Sequence, residues 1–299
     1  MKPRIELLVL GHVTRDEVGA DVRWGGAAAY SALAAARLGV ATGLVTAAPP
    51  DSPLLEELRA EPRLVLHLVP SPVFTSFVVD YSGPERTLWL RDRAPDLRLQ
   101  DIPPAFARAR TVYIGPVAGE CSSELVRACA QRGAAFVGLG LQGWLRAFEP
   151  ASESDPSRRR VAPGLDASIL EVPGVGAVAV SELDHPAVTA HAARLADRGA
   201  TVAVTHGARG ASLFHAHARV DIPAAPADER DPTGAGDVFG VVFTLRLADG
   251  ASVREAGLAA AEAAARVVEG PGLGTLPRAS SVEAFSAGTK LALETGEGA

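Results

Sequence analysis

Short apolar runs rich in Val, Ile and Leu recur along this chain, and the stretches between them place apolar residues every three or four positions. The short runs predict strands that are buried on both faces, whereas the longer stretches predict amphipathic helices. Because strands and helices alternate, we expect an α/β fold with a mostly parallel sheet and helices on both of its faces. The predicted strands cover residues 5–10, 42–45, 65–69, 111–114, 136–139, 175–180 and 202–205.

Glycines follow three of the predicted helices. A residue in the left-handed conformation often ends a helix, and glycine adopts that conformation most easily. A fourth helix, over residues 253–269, has a start signal instead, because Ser252 and Glu255 have the spacing of a capping box. The other three predicted helices and their glycines are 27–38 with Gly39, 122–131 with Gly133, and 187–198 with Gly199.

Two further regions look extended but lie outside this alternation. Residues 73–81 and 86–90 are short strand-like runs joined by Ser82-Gly83-Pro84-Glu85, which predicts a β-hairpin. Residues 13–24 also favour an extended conformation over a helix. We therefore expect a small β-sheet lid on the main domain, built from residues 13–24 and 73–91.

Residues 149–163 form the second break in the pattern. The segment is rich in proline, serine and charge and contains three consecutive arginines at 158–160, so we expect an exposed mobile loop. No internal repeat and no second independent domain is visible. We therefore interpret residues 1–299 as a single domain.

Composition and charge exclude several classes of protein. The 299 residues carry a net charge of −6, which argues against nucleic acid as a routine partner. No apolar stretch is long and charge-free enough to span a membrane. The two cysteines, Cys121 and Cys129, fall on one predicted helix and indicate no disulfide framework, and the early first strand leaves no room for a signal peptide. We therefore expect a protein of the reducing cytoplasm.

The most informative segment is Asp-Pro-Thr-Gly-Ala-Gly-Asp at residues 231–237. Gly234, Ala235 and Gly236 precede an apolar run with helical spacing, and a glycine-rich helix start leaves backbone N–H groups free to bind an anion. A carboxylate there, Asp237, makes chemical sense as a base that takes a proton from a hydroxyl attacking phosphorus. The alternative is an ordinary helix start in which Asp237 only complements the helix dipole.

This segment resembles the signature D-T-x-G-A-G-D of the ribokinase-like (PfkB) family of carbohydrate kinases, from which Pro232 is a minor departure. The resemblance implies that Asp237 is the catalytic base and that the 234–236 amides hold the transferring phosphate. It also implies that Asp231 and Thr233 lie near a monovalent-cation site, such as one for K⁺, on the cofactor side.

Two segments near the N-terminus resemble the sugar-binding side of the same family. The family pattern G-x-x-N-x-D matches residues 11–16, with Thr14 in place of Asn, and implies that Asp16 hydrogen-bonds sugar hydroxyls. The family's first signature, G-G-x-x-x-N-x-A, matches Gly25 and Gly26, with Tyr30 at the Asn position. The alternative for this pair of glycines is an ordinary helix N-terminus.

The nucleotide side has weaker matches. Thr205, Gly207 and Gly210 fit the family's strand–turn T-x-G-x-x-G beside the nucleotide phosphates and ribose, although any strand-to-hairpin turn needs such glycines. Ser-Glu-Leu-Asp at residues 181–184 stands where the family has N-x-x-E, a site linked to Mg²⁺. That acid would be Asp184 or Glu182. By its order in the chain, the segment 270–274 would be the loop that cups adenine.

Gly-Leu-Gly-Leu-Gln-Gly at residues 138–143 matches the dinucleotide-binding pattern G-x-G-x-x-G, but no helix is predicted to follow it. We therefore set NAD aside. With Arg146, the segment instead resembles D-x-Q-G-x-x-R of inositol-kinase-like members, and this implies a substrate contact for Gln142. Gly140 stands where those members carry Asp, so the substrate itself stays open.

The resemblance covers essentially the whole chain. It implies a three-layer α/β/α ribokinase-like domain with a small β lid. It also implies an ATP- and Mg²⁺-dependent kinase that phosphorylates a hydroxyl of a small sugar or polyol, such as an inositol. Lid closure would exclude water and so suppress ATP hydrolysis, and the lid would be the contact of a homodimer. The alternatives are a nucleoside or ribose-type kinase and a catalytically silent ligand-binding or regulatory member.

Overall fold

The computed structural model describes residues 4–19, 21–80, 87–132, 135–151, 155–270, 272 and 275–278. Within these residues the strands divide into a large sheet and a smaller one. The strands of the large sheet are β1 (Leu7–Leu10), β4 (Thr42–Ala48), β5 (Leu64–Pro70), β8 (Thr111–Ile114), β9 (Phe136–Gly140), β12 (Val175–Ser181), β13 (Thr201–Thr205), β14 (Ala211–His215) and β15 (Ala218–Ile222). The strands of the smaller sheet are β2 (Thr14–Val18), β3 (Asp21–Gly25), β6 (Thr75–Asp80), β7 (Thr87–Asp92), β10 (Arg146–Phe148) and β11 (Arg159–Pro163).

The large sheet runs in the order β15-β14-β13-β12-β9-β8-β1-β4-β5. From β13 to β5 every neighbouring pair is parallel, whereas at the other edge β14 is antiparallel to both β13 and β15. All residues of β1 and β4 are buried, as a sheet covered on both faces requires. The seven strands predicted from apolar runs are all present.

Helices cover both faces of the large sheet. Leu7 and Val9 of β1 contribute to one apolar cluster together with the first, fifth and sixth helices, whereas Leu8 and Leu10 face a second cluster with the third and fourth. The predicted three-layer α/β/α architecture is therefore confirmed. The helices are α1 (Ala27–Arg37), α2 (Glu56–Ala60), α3 (Ser123–Ala130), α4 (Val188–Asp197), α5 (Ala235–Ala248) and α6 (Val253–Val268).

The helix ends agree with the expected signals where the structure describes them. Gly39 and Gly199 follow α1 and α4 with φ angles of 99° and 97°, and the Ser252 capping box opens α6. The predicted end at Gly133 lies outside the described residues. Cys121 precedes α3 instead of lying on it, so the prediction that both cysteines share one helix is wrong. In the described part of the chain, no helix is long and apolar enough to cross a membrane.

The smaller sheet is the predicted lid. Its order is β10-β11-β7-β6-β2-β3, so the extended segment at 13–24 and the hairpin at 73–91 both contribute strands. Strands β6 and β7 are antiparallel, as a hairpin requires. The predicted turn at 82–85 lies outside the described residues.

The prediction of an exposed mobile loop at 149–163 is wrong over its last five residues. These residues form β11, which pairs with β10 on one side and with β7 of the lid on the other. The arginines stack on lid aromatics: the Arg158 guanidinium lies 4.7 Å from the ring centroid of Trp89, and that of Arg159 lies 5.6 Å from Phe148. A polar strand is stabilised here by partners that are distant in sequence.

Candidate active site

The carboxyl ends of the central parallel strands and the start of α5 form one cleft. Gln142 follows β9, Asp184 follows β12 and Thr205 ends β13, while Gly236 and Asp237 lie in the first turn of α5. Ligands of open α/β sheets bind at this edge of the sheet. The structure therefore brings together five of the residues that the sequence motifs single out.

The turn before α5 depends on a glycine. Gly234 has a φ angle of 84°, and a Cβ placed on it would lie 2.2 Å from Cδ1 of Tyr30. A Cβ on Gly236 would meet nothing within 4 Å. Gly234 is thus required by the fold itself, whereas Gly236 leaves open space at the mouth of the cleft.

The backbone amides of this turn are not equivalent. The Ala235 N–H donates to the Pro232 carbonyl at 3.2 Å, and the Val238 N–H donates to the Gly234 carbonyl at 3.0 Å. Among the described residues, the N–H groups of Gly236 and Asp237 have no hydrogen-bond partner. The sequence predicts that the amides of residues 234–236 hold the phosphate. In the structure, the Ala235 amide is hydrogen-bonded within the turn, and the two free amides are those of Gly236 and Asp237.

Asp237 has an unusual acidity for a carboxyl group. Burial, reinforced by the neighbouring Asp184 carboxylate and opposed by the Arg146 guanidinium, raises the pKa of Asp237 to about 7. A group with a pKa near neutrality can both accept and release a proton under physiological conditions. Its position beside two free amides gives it the geometry of a general base next to an anion site.

Arg146 belongs to this site, although the sequence analysis named it only within the Q-G-x-x-R segment. It is the first residue of β10, donates from Nη1 to the Val117 carbonyl at 2.8 Å, and lies 5.3 Å from the ring centroid of Phe77. Burial lowers its pKa, and the carboxylates of Asp184 and Asp237 are the largest influences that oppose this change. Arg146 thus places a positive charge between the lid and the cleft.

The candidate sugar side lies on strands β2 and β3 of the lid. A Cβ on Gly25 would lie 3.0 Å from Oδ2 of Asp16 and 3.3 Å from Oγ1 of Thr14. Thr14 is 1% exposed, and its hydroxyl has no hydrogen-bond partner in the described part of the chain. Because buried hydroxyls are normally paired, this polar space above Gly25 is suited to a ligand that brings its own hydrogen-bonding groups.

Gly26 and Tyr30 connect the lid to the start of α5. Gly26 has a φ angle of 93°, and a Cβ on it would lie 2.4 Å from the His12 carbonyl oxygen. Tyr30 is buried on α1 with its ring against Gly234, and burial together with the Asp237 charge raises the pKa of its hydroxyl. The phenol stays neutral and lies between the Asp16 side and the turn before α5.

Asp184 and Glu182, the two alternative acids of the 181–184 segment, have different surroundings. Asp184 lines the cleft, where its Oδ2 accepts the Ser181 N–H at 2.8 Å and its Oδ1 accepts Gln142 Nε2 at 3.3 Å. Glu182 instead contacts His206, with Oε2 and Nδ1 2.8 Å apart, and forms an ion pair with Arg209. Asp184 is therefore the acid that faces the cleft.

Of the three residues that match T-x-G-x-x-G, only Thr205 at the end of β13 lines the cleft. Gly207 and Gly210 lie in the turn that follows β13, with φ angles of 58° and 93°. A Cβ on Gly210 would lie 2.1 Å from the Ile222 carbonyl oxygen, so this glycine is required by the hairpin. The segment 270–274, expected to cup adenine, lies mostly outside the described residues.

Asp231 lies at the edge of the lid and does not line the cleft with Asp184. Its Oδ1 accepts the Thr233 N–H at 3.0 Å, and its Oδ2 is 3.8 Å from Nη1 of Arg23 on β3. Within the described residues, no group of three or more His, Cys, Asp and Glu side chains could hold a metal ion. A metal at this cleft would therefore take most of its ligands from substrate and water.

Tyr113 lines the cleft, but no motif points to it. A Cβ on Gly140 would lie 2.7 Å from the Tyr113 hydroxyl, so this hydroxyl fills the space that a side chain at position 140 would need. The available signal for Tyr113 was a polar group near the end of an apolar strand.

The structure after β9 excludes a dinucleotide-binding site at the G-x-G-x-x-G match. A short 3₁₀ turn, Leu141–Leu145, and then β10 take the place of the helix that such a site requires.

The sequence comparisons point to one family. Residues 147–279 match the model of the pfkB family carbohydrate kinases. Over 90 residues, the chain is 41% identical to the bifunctional protein HldE of Streptomyces coelicolor. That match covers 30% of this chain and spans 19% of the length of the curated relative.

Solved structures with the same fold cover nearly the whole chain. A pyrophosphate-dependent kinase of the ribokinase family, complexed with a pyrophosphate analog and myo-inositol, superposes with a TM-score of 0.76 at 20% identity, over 92% of this chain and 98% of that one. The ribokinase of Arabidopsis thaliana, complexed with ribose and ATP, gives a TM-score of 0.72 at 18% identity, over 95% and 99%. At 20% and 18% identity, these superpositions show a shared fold and nothing more.

Proposed function

We propose that this chain, which belongs to the PfkB family of carbohydrate kinases, transfers a phosphoryl group from ATP to a hydroxyl of a small sugar or polyol. The observation that carries the proposal is Asp237. Its carboxyl group, with a pKa near 7, lies beside the free amides that begin α5. A general base next to an anion site is what hydroxyl phosphorylation requires.

The proposed reaction uses the two sides of the cleft for its two substrates. The acceptor lies against the lid, where Asp16 and the unpaired Thr14 hydroxyl hydrogen-bond its hydroxyl groups. Asp237 takes the proton of the attacking hydroxyl as the oxygen approaches phosphorus. The amides of Gly236 and Asp237 and the dipole of α5 stabilise the charge on the transferring group.

Arg146 has two roles in this proposal. Its guanidinium attracts the anionic phosphoryl group, and it opposes the burial and the Asp184 charge that together raise the pKa of Asp237. The lid strands exclude water from the reaction, which protects ATP from hydrolysis. The exposed edge strand β3 has unpaired backbone groups on one side, and we expect a homodimer to form through the lid.

Asp184 is the residue that would hold Mg²⁺. Mg²⁺ usually keeps several waters and binds one or two carboxylates together with substrate phosphates, so a single cleft carboxylate oriented by Gln142 and Ser181 fits it. When bound, Mg²⁺ neutralises negative charge on the phosphates of the donor. A monovalent cation such as K⁺ near Asp231 and Thr233 would share the Asp231 carboxylate with the Arg23 guanidinium, whose Nη1 lies 3.8 Å from Oδ2.

The acceptor is proposed to be a polyol of the inositol type. The polar pair formed by Thr14 and Asp16 suits neighbouring hydroxyl groups on a neutral ring, and the structurally similar kinase that was solved with myo-inositol supports the same class. A ribose-type acceptor is the second candidate, supported by the similar fold of the plant ribokinase. Pyrophosphate in place of ATP is the corresponding alternative for the donor.

A phosphotransfer assay with two donors and a panel of acceptors tests the proposal. ATP and pyrophosphate are each combined with myo-inositol, ribose, fructose and adenosine, and phosphorylated product is detected by mass spectrometry. We expect product from a polyol with ATP, and product formation about 10²–10⁴-fold slower with the Asp237→Asn variant. A wild-type protein that binds these acceptors but makes no product with either donor would favour the catalytically silent alternative.

A further inference from the structure

A second cavity lies at the edge of the large sheet opposite the cleft. Strands β9, β8 and β1 are neighbours and parallel, so their amino ends meet at one edge of the sheet and their carboxyl ends meet at the other, where the cleft is. The cavity at the amino ends has a volume of about 320 Å³, which is within the range of small-molecule binding sites. The proposed reaction gives this cavity no role.

The cavity has an apolar floor and a rim of arginines. Leu8, Phe106 and Val112 form the floor, and each of them is at most 5% exposed. Among the residues that the structure describes, no Asp or Glu lines the cavity. Its four arginines come from the segments that precede β1 and β8 and from the segment that follows α3: Arg4, Arg108, Arg110 and Arg132.

Most of this positive charge has no partner within the protein. In the described part of the chain, the guanidinium groups of Arg4, Arg108 and Arg132 form no hydrogen bond or ion pair. Arg110 pairs with Asp249, with Nη2 and Oδ1 2.5 Å apart. The whole chain carries a net charge of −6, so unpaired positive charge around a single cavity stands out. Because like charges repel, an anion that contacts several of these groups at once relieves their repulsion.

We propose that this cavity binds a small organic polyanion, a molecule that carries at least two phosphate or carboxylate groups on a compact body. The planar guanidinium fork matches the geometry of both groups. The apolar floor contacts the body of the ligand, while the arginine side chains bind its charged groups. An exposed ion pair contributes little by itself, so the affinity depends on several arginines that act on one multiply charged ligand.

This site is separate from the cleft. Arg110 holds Asp249, which follows the last residue of α5, whereas Asp237 lies in the first turn of that helix. The rise of an α-helix places Asp249 about 18 Å from Asp237. An anion in the cavity therefore does not take part in phosphoryl transfer, and its binding is measurable without any assay of activity.

Isothermal titration calorimetry on the full chain tests the site with two probes, glucose 1,6-bisphosphate and tricarballylate. We expect at least one of them to bind with a Kd below about 1 mM at low salt and to bind more weakly at high salt, because salt screens exposed charges. A variant that combines Arg108→Gln and Arg132→Gln should weaken that binding about 10-fold or more. The matched control combines Arg63→Gln and Arg254→Gln, two exposed arginines outside the cavity, and should bind as the wild type does.

Two further variants locate the ligand, with urea unfolding as the check that each is folded. Ala107→Trp fills the cavity without a change of charge and should abolish binding, whereas Gly236→Ala alters the anion site of the cleft and should leave the Kd unchanged. No binding of either probe to the wild type, equal losses in the arginine variant and its control, or a loss confined to Gly236→Ala would overturn the inference. Since none of these results depends on phosphoryl transfer, the inference and the proposed function fail independently.

Discussion

Four helices of this protein, α1, α3, α5 and α6, begin in two different ways. Ser122 and Ser252 cap α3 and α6, where each serine side chain accepts a backbone N–H of the first turn. Gly26 and Gly234 precede α1 and α5 with φ angles of 93° and 84° and give no side-chain cap. Among these four helices, the two that start without a side-chain cap meet at the cleft, one beside the lid and the other beside Asp237. Helices α2 and α4 also start without a side-chain cap, so the comparison concerns these four alone.

This difference fits the proposed function, because a helix start without a side-chain cap leaves backbone N–H groups that can bind an anion. A capping side chain contributes about 1 kcal/mol by satisfying an N–H group that would otherwise lack a partner. At Gly234 the fold omits this contribution, and the N–H groups of the next turn stay free for an anion. Substitutions of the groups that face the cleft at the start of α5 should therefore lower activity, whereas the loss of a capping serine should lower stability.

The largest effect is expected from Asp237→Asn at the start of α5. Removing a positioned general base should lower turnover by about 10²–10⁴-fold while ATP binding and the fold persist. Asp249→Asn, at the other end of α5 in an ion pair with Arg110, is the matched control and should keep wild-type turnover. Steady-state kinetics on both purified variants decide the matter. Near-normal turnover in a folded Asp237→Asn protein would remove this residue from the mechanism.

The same carboxyl group predicts how activity and stability depend on pH. With its pKa raised to about 7, Asp237 is protonated in the folded protein at pH 5, so kcat/KM should rise as the pH passes through 7. The ordinary value of 3.8 applies to the unfolded chain, so the wild type loses stability between pH 4 and 7, by at most about 4 kcal/mol. Urea unfolding should therefore show that the unfolding free energy of Asp237→Asn increases relative to that of the wild type as the pH rises from 4 to 7. A constant difference from pH 5 to 8 would contradict the raised pKa.

Gly234 and Gly236 sharpen the comparison within a single turn. Gly234→Ala places a Cβ against Tyr30 and strains the backbone, so we expect a loss of about 1–3 kcal/mol in unfolding free energy. Gly236→Ala meets open space and should fold normally, but its methyl group occupies the anion site and should weaken donor binding about 10-fold or more. Denaturation and calorimetry on both variants measure the two effects. A stable Gly234→Ala protein would mean that the turn can rearrange.

Asp16→Ala tests the lid side. The loss of a hydrogen bond to a charged group is worth about 1.5–3 kcal/mol, so KM for the acceptor should rise about 10–150-fold while KM for ATP changes little. Glu17 follows on the same strand, is hydrogen-bonded to Arg15 and Arg91, and serves as the control. Side chains alternate across a strand, so Glu17→Ala should leave acceptor KM near its wild-type value. Equal effects of the two substitutions would move the acceptor elsewhere.

The smallest effect belongs to a capped helix. Ser252→Ala removes the capping box of α6 and should lower the unfolding free energy by about 1 kcal/mol. We expect kcat and both KM values to equal those of the wild type. Chemical denaturation and kinetics on one preparation provide both readouts, and a loss of turnover without a loss of stability would break the division between the two kinds of helix start.

The sequence predicts the large sheet well because its strands are buried on both faces and therefore apolar along their length. Strand β11 was predicted as a loop because its polar residues are stabilised by β7 and β10, which no local pattern shows. The glycine motifs predict an anion site beside Asp237, but that the Ala235 amide is bonded within the turn depends on the exact turn geometry. Tyr113 lines the cleft only because the fold brings β8 to it, and no spacing in the sequence shows this. The Q-G-x-x-R segment includes Arg146, but only the fold shows that its charge acts on Asp184 and Asp237.

The lid also has a consequence for the order in which the protein can fold. Its strands come from three separate stretches of chain, with Thr14 pairing with Thr75 and Leu90 with Arg159. Pairings between segments this far apart close large loops, and such contacts form slowly. During synthesis, β2 and β3 must therefore wait for β6, and the sheet gains β11 only after more than half of the chain has emerged. The lid is therefore completed only after strands β1, β4, β5, β8 and β9 of the large sheet have been synthesised.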